Sequence, residues 1–423
     1  MSAQTILYII LGIITANFLL EQFLEYVNNR NRKATLPDRL KGIYDENEYQ
    51  KSIAYQRANG RFSLITSTFS FVLSFVLLST GFFGWLDITL RPDFDNLILH
   101  ALVYFAILFV ASDLLTLPFQ LYSTFVIEEK FGFNRTTPKL FITDKLKGYL
   151  LSILIGGSIG YIFLYLVIEI GPDFWWYFWG VAALFTLLLN MFYTSLIVPI
   201  FNKLTPLEAG PLKEAIEAYS RKVNFPLDNI FVIDGSKRSS KSNAFFSGLG
   251  RKKKIVLYDT LIENHSQEEL VAVLAHEVGH YRKKHIISGY LLSVLQIGVT
   301  LYILSLLVFN EQLSYALGAA QISIPVNLIA FGILYSPIST VIGLLMNIWS
   351  RKNEFEADAY ATHTYNGSAL QTALKKLSAK NLSNLLPHHW YVFFHYSHPP
   401  LLQRLEAIDK EKPVASSQPA TNQ

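Results

Sequence analysis

The 423-residue sequence contains no cysteine and few charged side chains. Without cysteine the chain has no disulfide framework, thiolate metal site or thiol nucleophile, so metal chemistry would have to use histidine and carboxylate side chains. Charged residues make up only 16% of the chain, whereas 51% of the residues are hydrophobic. This balance argues against a soluble protein of two or three domains and predicts a multi-pass membrane protein.

Seven apolar runs reach the length of about 20 residues that a helix needs to cross a bilayer. They lie near 5–25, 62–86, 97–123, 148–171, 174–199, 286–309 and 324–349. No basic segment or clear small-residue cleavage site accompanies the first run, so we interpret it as a retained anchor. The predicted fold class is therefore mainly α, with seven transmembrane helices and a soluble region that contains a small β-sheet.

Basic residues are concentrated in alternate loops between these runs. Lys and Arg number eight in 28–61, five in 130–147 and fourteen in 203–284, while the intervening loops carry Arg91 or none. The positive-inside rule places the basic loops and the C-terminus in the cytosol and the N-terminus across the membrane. Because the net charge of +4 reflects these loops, it does not indicate a nucleic-acid partner.

The main soluble insertion is predicted between the fifth and sixth runs. It is expected to begin with a helix that continues to about Val223, because Thr205-Pro206-Leu207-Glu208 offers an N-cap, a proline at N1 and a capping-box acid. Residues 229–234 and 254–258 are predicted to form short strands. A second capping box, Ser266-Gln-Glu-Glu269, predicts the start of another helix.

That helix carries His276-Glu-Val-Gly-His280, the strongest chemical signal in the sequence. Two histidines four residues apart project from one helix face and can bind a single zinc ion. Glu277 would lie beside the open position of the metal, where a carboxylate can take a proton from water and deliver it to a departing amine. The motif predicts a peptide-bond hydrolase with one Zn²⁺ per chain.

The missing third ligand is predicted in the acidic segment Glu354-Phe-Glu-Ala-Asp358, which directly follows the seventh run. Glu354 is the expected ligand. Asp358 is one turn further along, where it could accept the spare N–H of a ligand histidine, and Glu356 is expected to face solvent. Considered alone, the segment would more readily be an ordinary charged helix start beneath a membrane span.

In a further segment, Ser397-His-Pro-Pro-Leu-Leu-Gln-Arg404, proline stiffens the chain and one turn of helix would bring Arg404 near His398. Both could donate hydrogen bonds to an oxyanion or to a substrate carboxylate. From the spacing alone, this role and a simple packing role are equally expected. The other histidines are interpreted as surface, interfacial or packing residues: His100, His265, His285, His363, His388, His389 and His395.

Five regions follow from these patterns. Residues 1–204 form a transmembrane region with five spans, 205–285 a cytosolic metalloprotease region, 286–349 two further spans, and 350–410 a cytosolic helical region with the third zinc ligand. The tail 411–423 is rich in Pro, Ser, Thr and Gln and has too little apolar surface to fold.

Together, HEVGH, NEFEAD and SHPPLLQR resemble the zinc metallopeptidase superfamily that contains the type I CAAX prenyl proteases and the HtpX membrane proteases. The segment 122–134, YSTFVIEEKFGFN, and the seven spans resemble the CAAX prenyl protease branch. The resemblance runs from about the first span to Leu405. Like the spacing, it implies that the zinc ligands are His276, His280 and Glu354. It likewise makes Glu277 the catalytic acid/base and Asp358 a supporting residue.

The resemblance also implies features that spacing does not. It places His398 and Arg404 beside the substrate and makes Asn243, Ala244 and Phe245 part of an edge segment on which a peptide is laid as an added strand. It further implies a helical barrel around an intramembrane chamber with zinc at the cytosolic end. The implied substrates carry a prenylated C-terminal Cys, from which the last three residues are removed.

A chamber suits a lipidated tail, which needs an apolar compartment beside a hydrolytic water. Asp113 and Asn190 are candidates for its lining, because ionisable and polar groups within spans usually face inward. Each could instead simply bond a neighbouring helix, a role that is at least as expected for Asn190.

Two other functions remain open from the sequence. One is an HtpX-like quality-control protease of broad specificity, and the other is a non-enzymatic membrane scaffold with structural zinc. Glu277 and the three-ligand set oppose the scaffold, since structural zinc sites use four protein ligands. The expected location is the inner membrane for a bacterial source and the endoplasmic reticulum for a eukaryotic one. The ending Pro-Ala-Thr-Asn-Gln has no retrieval signal and favours the former.

Overall fold

Long apolar helices form most of the chain. The structure is a computed structural model that describes residues 1–32, 36, 38, 45–247 and 253–411, so the predicted unstructured tail falls outside it except for Glu411. Within those residues, six helical segments are long and apolar enough to cross a membrane. They are Ala3–Arg30, Glu46–Ser79, Leu97–Glu128, Pro138–Phe201, His285–Leu307 and Ile324–Thr364.

Individual helices subdivide these segments and fill the soluble region. The helices are α1 Ala3–Arg30, α2 Glu46–Ser79, α3 Phe82–Leu90, α4 Leu97–Tyr122, α5 Pro138–Leu151, α6 Ser158–Ile170, α7 Phe174–Phe192, α8 Val198–Phe201, α9 Pro211–Lys222, α10 Asp259–Asn264, α11 Gln267–Arg282, α12 His285–Leu307, α13 Glu311–Ala316, α14 Ile324–Thr364, α15 Gly367–Lys380, α16 His389–His395 and α17 Leu401–Glu411. Single π-helical turns lie at Ser123–Glu128, Ser152–Gly157 and Tyr193–Ile197.

Two predicted spans, 148–171 and 174–199, lie within the one segment Pro138–Phe201. A 3₁₀ turn at Gly171–Asp173 separates α6 from α7, and Gly171 has a φ of 75°, which favours glycine. The two helices pack side by side, with ring centroids of Phe163 and Phe178 4.9 Å apart. The segment is therefore bent back on itself at this turn.

The predicted span at 62–86 is interrupted. Helix α2 ends at Ser79, Gly81 has a φ of 69°, and α3 begins at Phe82. A Cβ on Gly84 would come within 1.9 Å of the backbone of Gly318, so α3 lies directly against the loop that precedes α14. This non-local contact, which hydropathy does not report, explains the break.

The soluble region contains a four-stranded sheet in the order β1-β2-β4-β3. The strands are β1 Leu204–Pro206, β2 Leu227–Ile233, β3 Ala244–Ser247 and β4 Lys253–Tyr258. Strands β2 and β4 are parallel, and the two outer strands run antiparallel to their neighbours. The predicted strands at 229–234 and 254–258 are confirmed, and β3 was not predicted from periodicity.

The predicted helix start at Thr205 is wrong. Thr205 and Pro206 belong to β1, opposite Val232 and Phe231. Pro206 is tolerated there because β1 is an edge strand, where a missing N–H costs little. Helix α9 begins only at Pro211. Pairing with β2 thus overrides a local sequence pattern typical of a helix N-terminus.

Helix α11 packs against the sheet and against α14. Its predicted capping box is confirmed, since Ser266 Oγ accepts from the N–H of Glu269 and the Glu269 carboxylate accepts from the N–H of Ser266. Gly279 permits close packing, because a Cβ there would lie 2.9 Å from the Cα of Ala357 on α14. Helix α14 is continuous over 41 residues, so the last predicted span and the acidic segment with Glu354 form a single helix.

Candidate metal centre

The crossing of α11 and α14 brings His276, His280 and Glu354 together. The two Nε2 atoms lie 3.2 Å apart, and Glu354 Oε1 is 3.3 Å from His280 Nε2. Glu354 Oε2 is 3.5 Å from His276 Nε2. All three residues offer ligand atoms within 4.8 Å of one another, and the side chains of His276 and Glu354 are buried.

This donor set fits a zinc ion. Two imidazole Nε2 atoms that face each other at 3.2 Å repel through their lone pairs unless a cation or proton lies between them. Glu354 Oε2 is buried and finds no hydrogen-bond partner among the described residues. A buried carboxylate oxygen next to two imidazoles supplies the nitrogen and oxygen donors that zinc prefers.

Asp358 lies next to His276, on the side of the ring away from His280 Nε2. Its Oδ1 is 2.8 Å from His276 Nδ1, and its side chain is 1% exposed. Arg404 donates two hydrogen bonds to the same carboxylate, at 2.6 Å from Nη2 and 2.8 Å from Nε. Arg404 Nη1 also lies 3.4 Å from Glu354 Oε2. A buried arginine therefore balances the charge of both carboxylates.

His398 lies at the solvent-exposed edge of the same cluster. Its Nε2 is 3.3 Å from Glu354 Oε1, while its side chain is 65% exposed. Ser397 Oγ is 3.0 Å from His398 Nδ1. The position combines contact with the centre and access for a substrate.

Glu277, which follows His276 on α11, is partly buried. Burial raises the pKa of Glu277, and the neighbouring His276 and His280 only partly oppose this effect. A raised pKa brings a carboxylate nearer to the range in which it both accepts and releases protons at neutral pH.

The protonation of His276 depends on its two carboxylate partners. Burial alone would lower the pKa of His276, but its interactions with the Asp358 and Glu354 carboxylates outweigh burial and raise the pKa to about 9. A cation that binds at Nε2 must therefore displace a proton at neutral pH.

Zinc affinity is consequently expected to rise with pH up to about 9 and to level off above it, because His276 loses its proton there. Below that pH the apparent affinity should gain about tenfold per pH unit for each displaced proton. Competition with a chromogenic chelator at several pH values measures this slope. A flat profile between pH 6 and 9 would contradict the expected protonation of His276.

Sequence reasoning missed one contact of the second ligand histidine. His285, expected to be a surface, interfacial or packing residue, is buried with Nδ1 3.0 Å from His280 Nδ1. Glu356 is only partly exposed and lies 3.3 Å from His285 Nε2, so the expectation that it is simply solvated is wrong. The turn between α11 and α12 creates this contact, and neither helix pattern reveals it.

Asn243, Ala244 and Phe245 lie at and in β3, on the far edge of the sheet that supports α11. In the described part of the chain, β3 pairs only with β4. Asn243 is exposed and its Oδ1 accepts from the N–H of Ala244. The outer edge of β3 therefore presents backbone groups that another strand could pair with.

The segment 122–134 lies against the chain that leads into β3. Glu128 Oε1 accepts from the hydroxyl of Tyr55 at 2.5 Å, and Glu128 Oε2 is 2.9 Å from Lys241 Nζ. The same ammonium lies 4.4 Å from the ring centroid of Phe133. These contacts connect α2 with the start of β3.

Asp113 and Asn190, the two polar candidates for the chamber lining, have different kinds of hydrogen-bond partner. Asp113 is 2.7 Å from Lys145 Nζ, accepts from Gln120 at 3.3 Å and also bonds the hydroxyl of Tyr149, so it links α4 with α5. Asn190 donates to the carbonyl of Thr186 on its own helix. Asp113 thus belongs to a polar cluster between α4 and α5, whereas Asn190 bonds within α7.

Comparisons with known proteins cover both halves of the chain. The family model described as CAAX prenyl protease N-terminal, five membrane helices, matches residues 25–203, and that of peptidase family M48 matches residues 206–412. CAAX prenyl protease 1 of Saccharomyces cerevisiae is 36% identical over 95% of this chain and 94% of its own length. The chain belongs to the CAAX prenyl protease branch of peptidase family M48.

Other relatives agree with this M48 assignment. The CAAX prenyl protease 1 homolog of Dictyostelium discoideum is 38% identical over 93% of this chain and 95% of its own length. The crystal structure of S. mikatae Ste24p matches with a TM-score of 0.91 and 35% identity, over 96% of this chain and 99% of that one. This M48 peptidase is accordingly a multi-pass membrane metalloendopeptidase that acts on peptide or protein substrates.

Proposed function

We propose that this M48 peptidase is a zinc-dependent prenyl protease that hydrolyses a peptide bond near the prenylated C-terminus of its substrate and removes the aaX tripeptide. One observation supports the proposal most strongly. The same chain contains the group of His276, His280 and Glu354 and a membrane half that matches the CAAX prenyl protease family model. Relatives with the name CAAX prenyl protease 1 are similar over nearly the full length.

Zinc would be held by His276, His280 and Glu354, and when bound it supplies Lewis-acid polarisation of the scissile carbonyl and of the attacking water. Glu277 accepts the proton of that water and passes it to the departing amine. Asp358, held by Arg404, keeps the proton of His276 on Nδ1 and thereby leaves Nε2 free for the metal.

His398 is proposed to donate a hydrogen bond to the oxyanion or to the substrate carboxylate. Its exposed ring next to Glu354 supports this role. Arg404 is proposed to act mainly through Asp358 and Glu354, because its guanidinium already contacts both carboxylates. The substrate peptide is proposed to pair with the outer edge of β3 at Asn243, Ala244 and Phe245.

The membrane half is proposed to cross the bilayer seven times around a chamber that holds the prenyl chain, with the metal centre facing the cytosol. The turn at Gly171–Asp173 supports two crossings within Pro138–Phe201, and the alternating basic loops support the orientation. The polar cluster around Asp113 is proposed to line the chamber, because a paired charge facing lipid would be costly.

Single-cysteine labelling is expected to place Asp173 and Glu214 on opposite sides of the membrane. The chain has no cysteine of its own, and both positions are exposed, so Asp173→Cys and Glu214→Cys can be labelled without background. In sealed vesicles, a membrane-impermeant maleimide applied from the cytosolic side should label only Glu214→Cys. Labelling of both cysteines from one side would contradict the proposed topology.

The decisive test of function compares matched farnesylated and unmodified CAAX peptides, with and without a chelator, and identifies the products by mass. Release of the tripeptide from the farnesylated peptide alone, abolished by the chelator, is the expected result. Equal cleavage of both peptides would reject prenyl specificity and favour a protease of broad specificity. Absence of cleavage in a zinc-loaded protein would favour a scaffold.

A further inference from the structure

His285 and Glu356 extend the metal centre beyond its predicted ligands. His285 Nδ1 is 3.0 Å from His280 Nδ1, and His285 Nε2 is 3.3 Å from Glu356 Oε2. The rings of the two histidines meet edge-on, with centroids 5.1 Å apart and an interplanar angle of 72°. The side chain of His285 is 9% exposed and that of Glu356 is 36% exposed. The three side chains thus form a row from the metal site to the surface.

The direction of the hydrogen bonds in this row follows from the metal-binding atom of His280. Its Nε2 faces His276 Nε2 and Glu354, so it is the nitrogen that would bind the cation. The ring proton of a neutral His280 must then be on Nδ1, where His285 Nδ1 is the acceptor. This leaves the proton of His285 on Nε2, directed at the Glu356 carboxylate.

The two ligand histidines are supported in different ways. His276 contacts the buried carboxylate of Asp358 directly, at 2.8 Å. His280 contacts a second histidine, and the carboxylate comes only after it. Support of a ligand histidine by a carboxylate raises its basicity and fixes its ring orientation.

We propose that His285 and Glu356 are positioning residues that orient His280 for the metal through this hydrogen-bonded row. The proposal rests on the ligand set given under the proposed function, but not on the prenylated substrate. Both ring nitrogens of the buried His285 have partners, which a residue that merely filled space would not require. Lys284, at a φ of 59°, forms the tight turn that places His285 beneath His280.

The backbone at Lys284 supports a specific placement of His285. A left-handed φ is uncommon for a residue with a side chain, and here it links the end of α11 at Arg282 to the start of α12. The chain thus holds a costly turn where it brings His285 to His280.

The test measures zinc affinity and zinc release in the full-length protein in detergent, by competition with a chromogenic chelator. His285→Phe keeps a ring of similar size but cannot accept a hydrogen bond, and it should weaken zinc binding about 10- to 100-fold. Glu356→Leu should weaken it in the same direction, whereas Glu356→Gln, which still accepts from Nε2, should have a smaller effect. The matched control is His363→Phe, since His363 is 56% exposed and contacts Glu411.

If the row acts as a unit, the effects of the two substitutions on zinc affinity should not be additive. The double variant His285→Phe/Glu356→Leu should lose no more zinc affinity than His285→Phe alone, because either change interrupts the same row. In the cobalt-substituted protein, the visible d–d absorption should shift in His285→Phe and not in His363→Phe. Such a shift reports the ligand geometry, which a purely structural role at a distance would leave unchanged.

Wild-type zinc affinity in both single variants, or fully additive losses in the double variant, would overturn the proposal. If His285→Phe fails to fold, Glu356→Leu carries the test, because its side chain is partly exposed. An unaltered protein that binds no zinc would overturn the ligand set and the row together. An unaltered protein that binds zinc but ignores prenylated peptides would overturn only the substrate proposal.

Discussion

Replacement of Glu277 by Gln is expected to reduce kcat for peptide cleavage by about 10²- to 10⁴-fold while bound zinc remains. The amide has the size of the carboxylate but cannot take a proton from water. The proposed metal ligands are His276, His280 and Glu354, so the exchange leaves that donor set intact. Turnover of a farnesylated peptide and zinc content by elemental analysis of the same sample measure the two effects.

A matched control for this prediction is Glu214→Gln, an equal change at an exposed position of α9. It should leave both turnover and zinc content unchanged. Full activity of Glu277→Gln would reject the proposed base. Loss of zinc together with activity would show that Glu277 supports the metal and would leave its role as a base without support.

Replacement of Glu354 by Gln is expected to remove most of the zinc, with cleavage lost as a consequence. Glu354 offers the only carboxylate oxygens in the predicted ligand set, and its Oε2 is buried without a hydrogen-bond partner among the described residues. A neutral amide is a poor zinc ligand. The zinc affinity of Glu354→Gln should therefore fall by more than the roughly 100-fold that removing a residue that only supports a ligand can cause. Zinc retained after dialysis measures the effect.

His398→Leu, which has no hydrogen-bond donor, provides the comparison for the Glu354 variant. His398 also contacts Glu354, but its exposed ring lies outside the predicted ligand set. It should retain zinc and lose only turnover, by the loss of a hydrogen-bond donor. Stoichiometric zinc in Glu354→Gln would contradict the assignment of the third ligand.

The features that sequence predicts well are those set by local pattern. The apolar runs, the capping box at Ser266 and the strands at 229–234 and 254–258 each depend on residues close together in sequence, and the structure contains them. The same local reasoning fails at Thr205, where pairing with β2 decides the conformation. It also fails at Gly81, where contact with Gly318 ends a helix that hydropathy would continue.

The metal centre shows the same division. The spacing of His276 and His280 on one helix suggests a shared cation, and Glu354 follows from the need for a third ligand. The hydrogen bonds between Arg404 and Asp358 join two helices that are far apart in sequence, so neither the spacing nor the resemblance predicts this partner. His285 is missed for the same reason, because its contact depends on one left-handed turn.

Helix α14 has a mechanical consequence for the enzyme in its membrane. At 1.5 Å per residue, its 41 residues span about 60 Å, so one continuous helix carries both an apolar membrane segment and Glu354. Membrane helices change tilt when bilayer thickness changes. The close approach at Gly279 packs α11 tightly against α14, so α11 would have to move with it. The two helices that carry His276, His280 and Glu354 therefore form one packed unit, and a change of tilt would displace the proposed metal centre as a whole rather than pull its ligands apart.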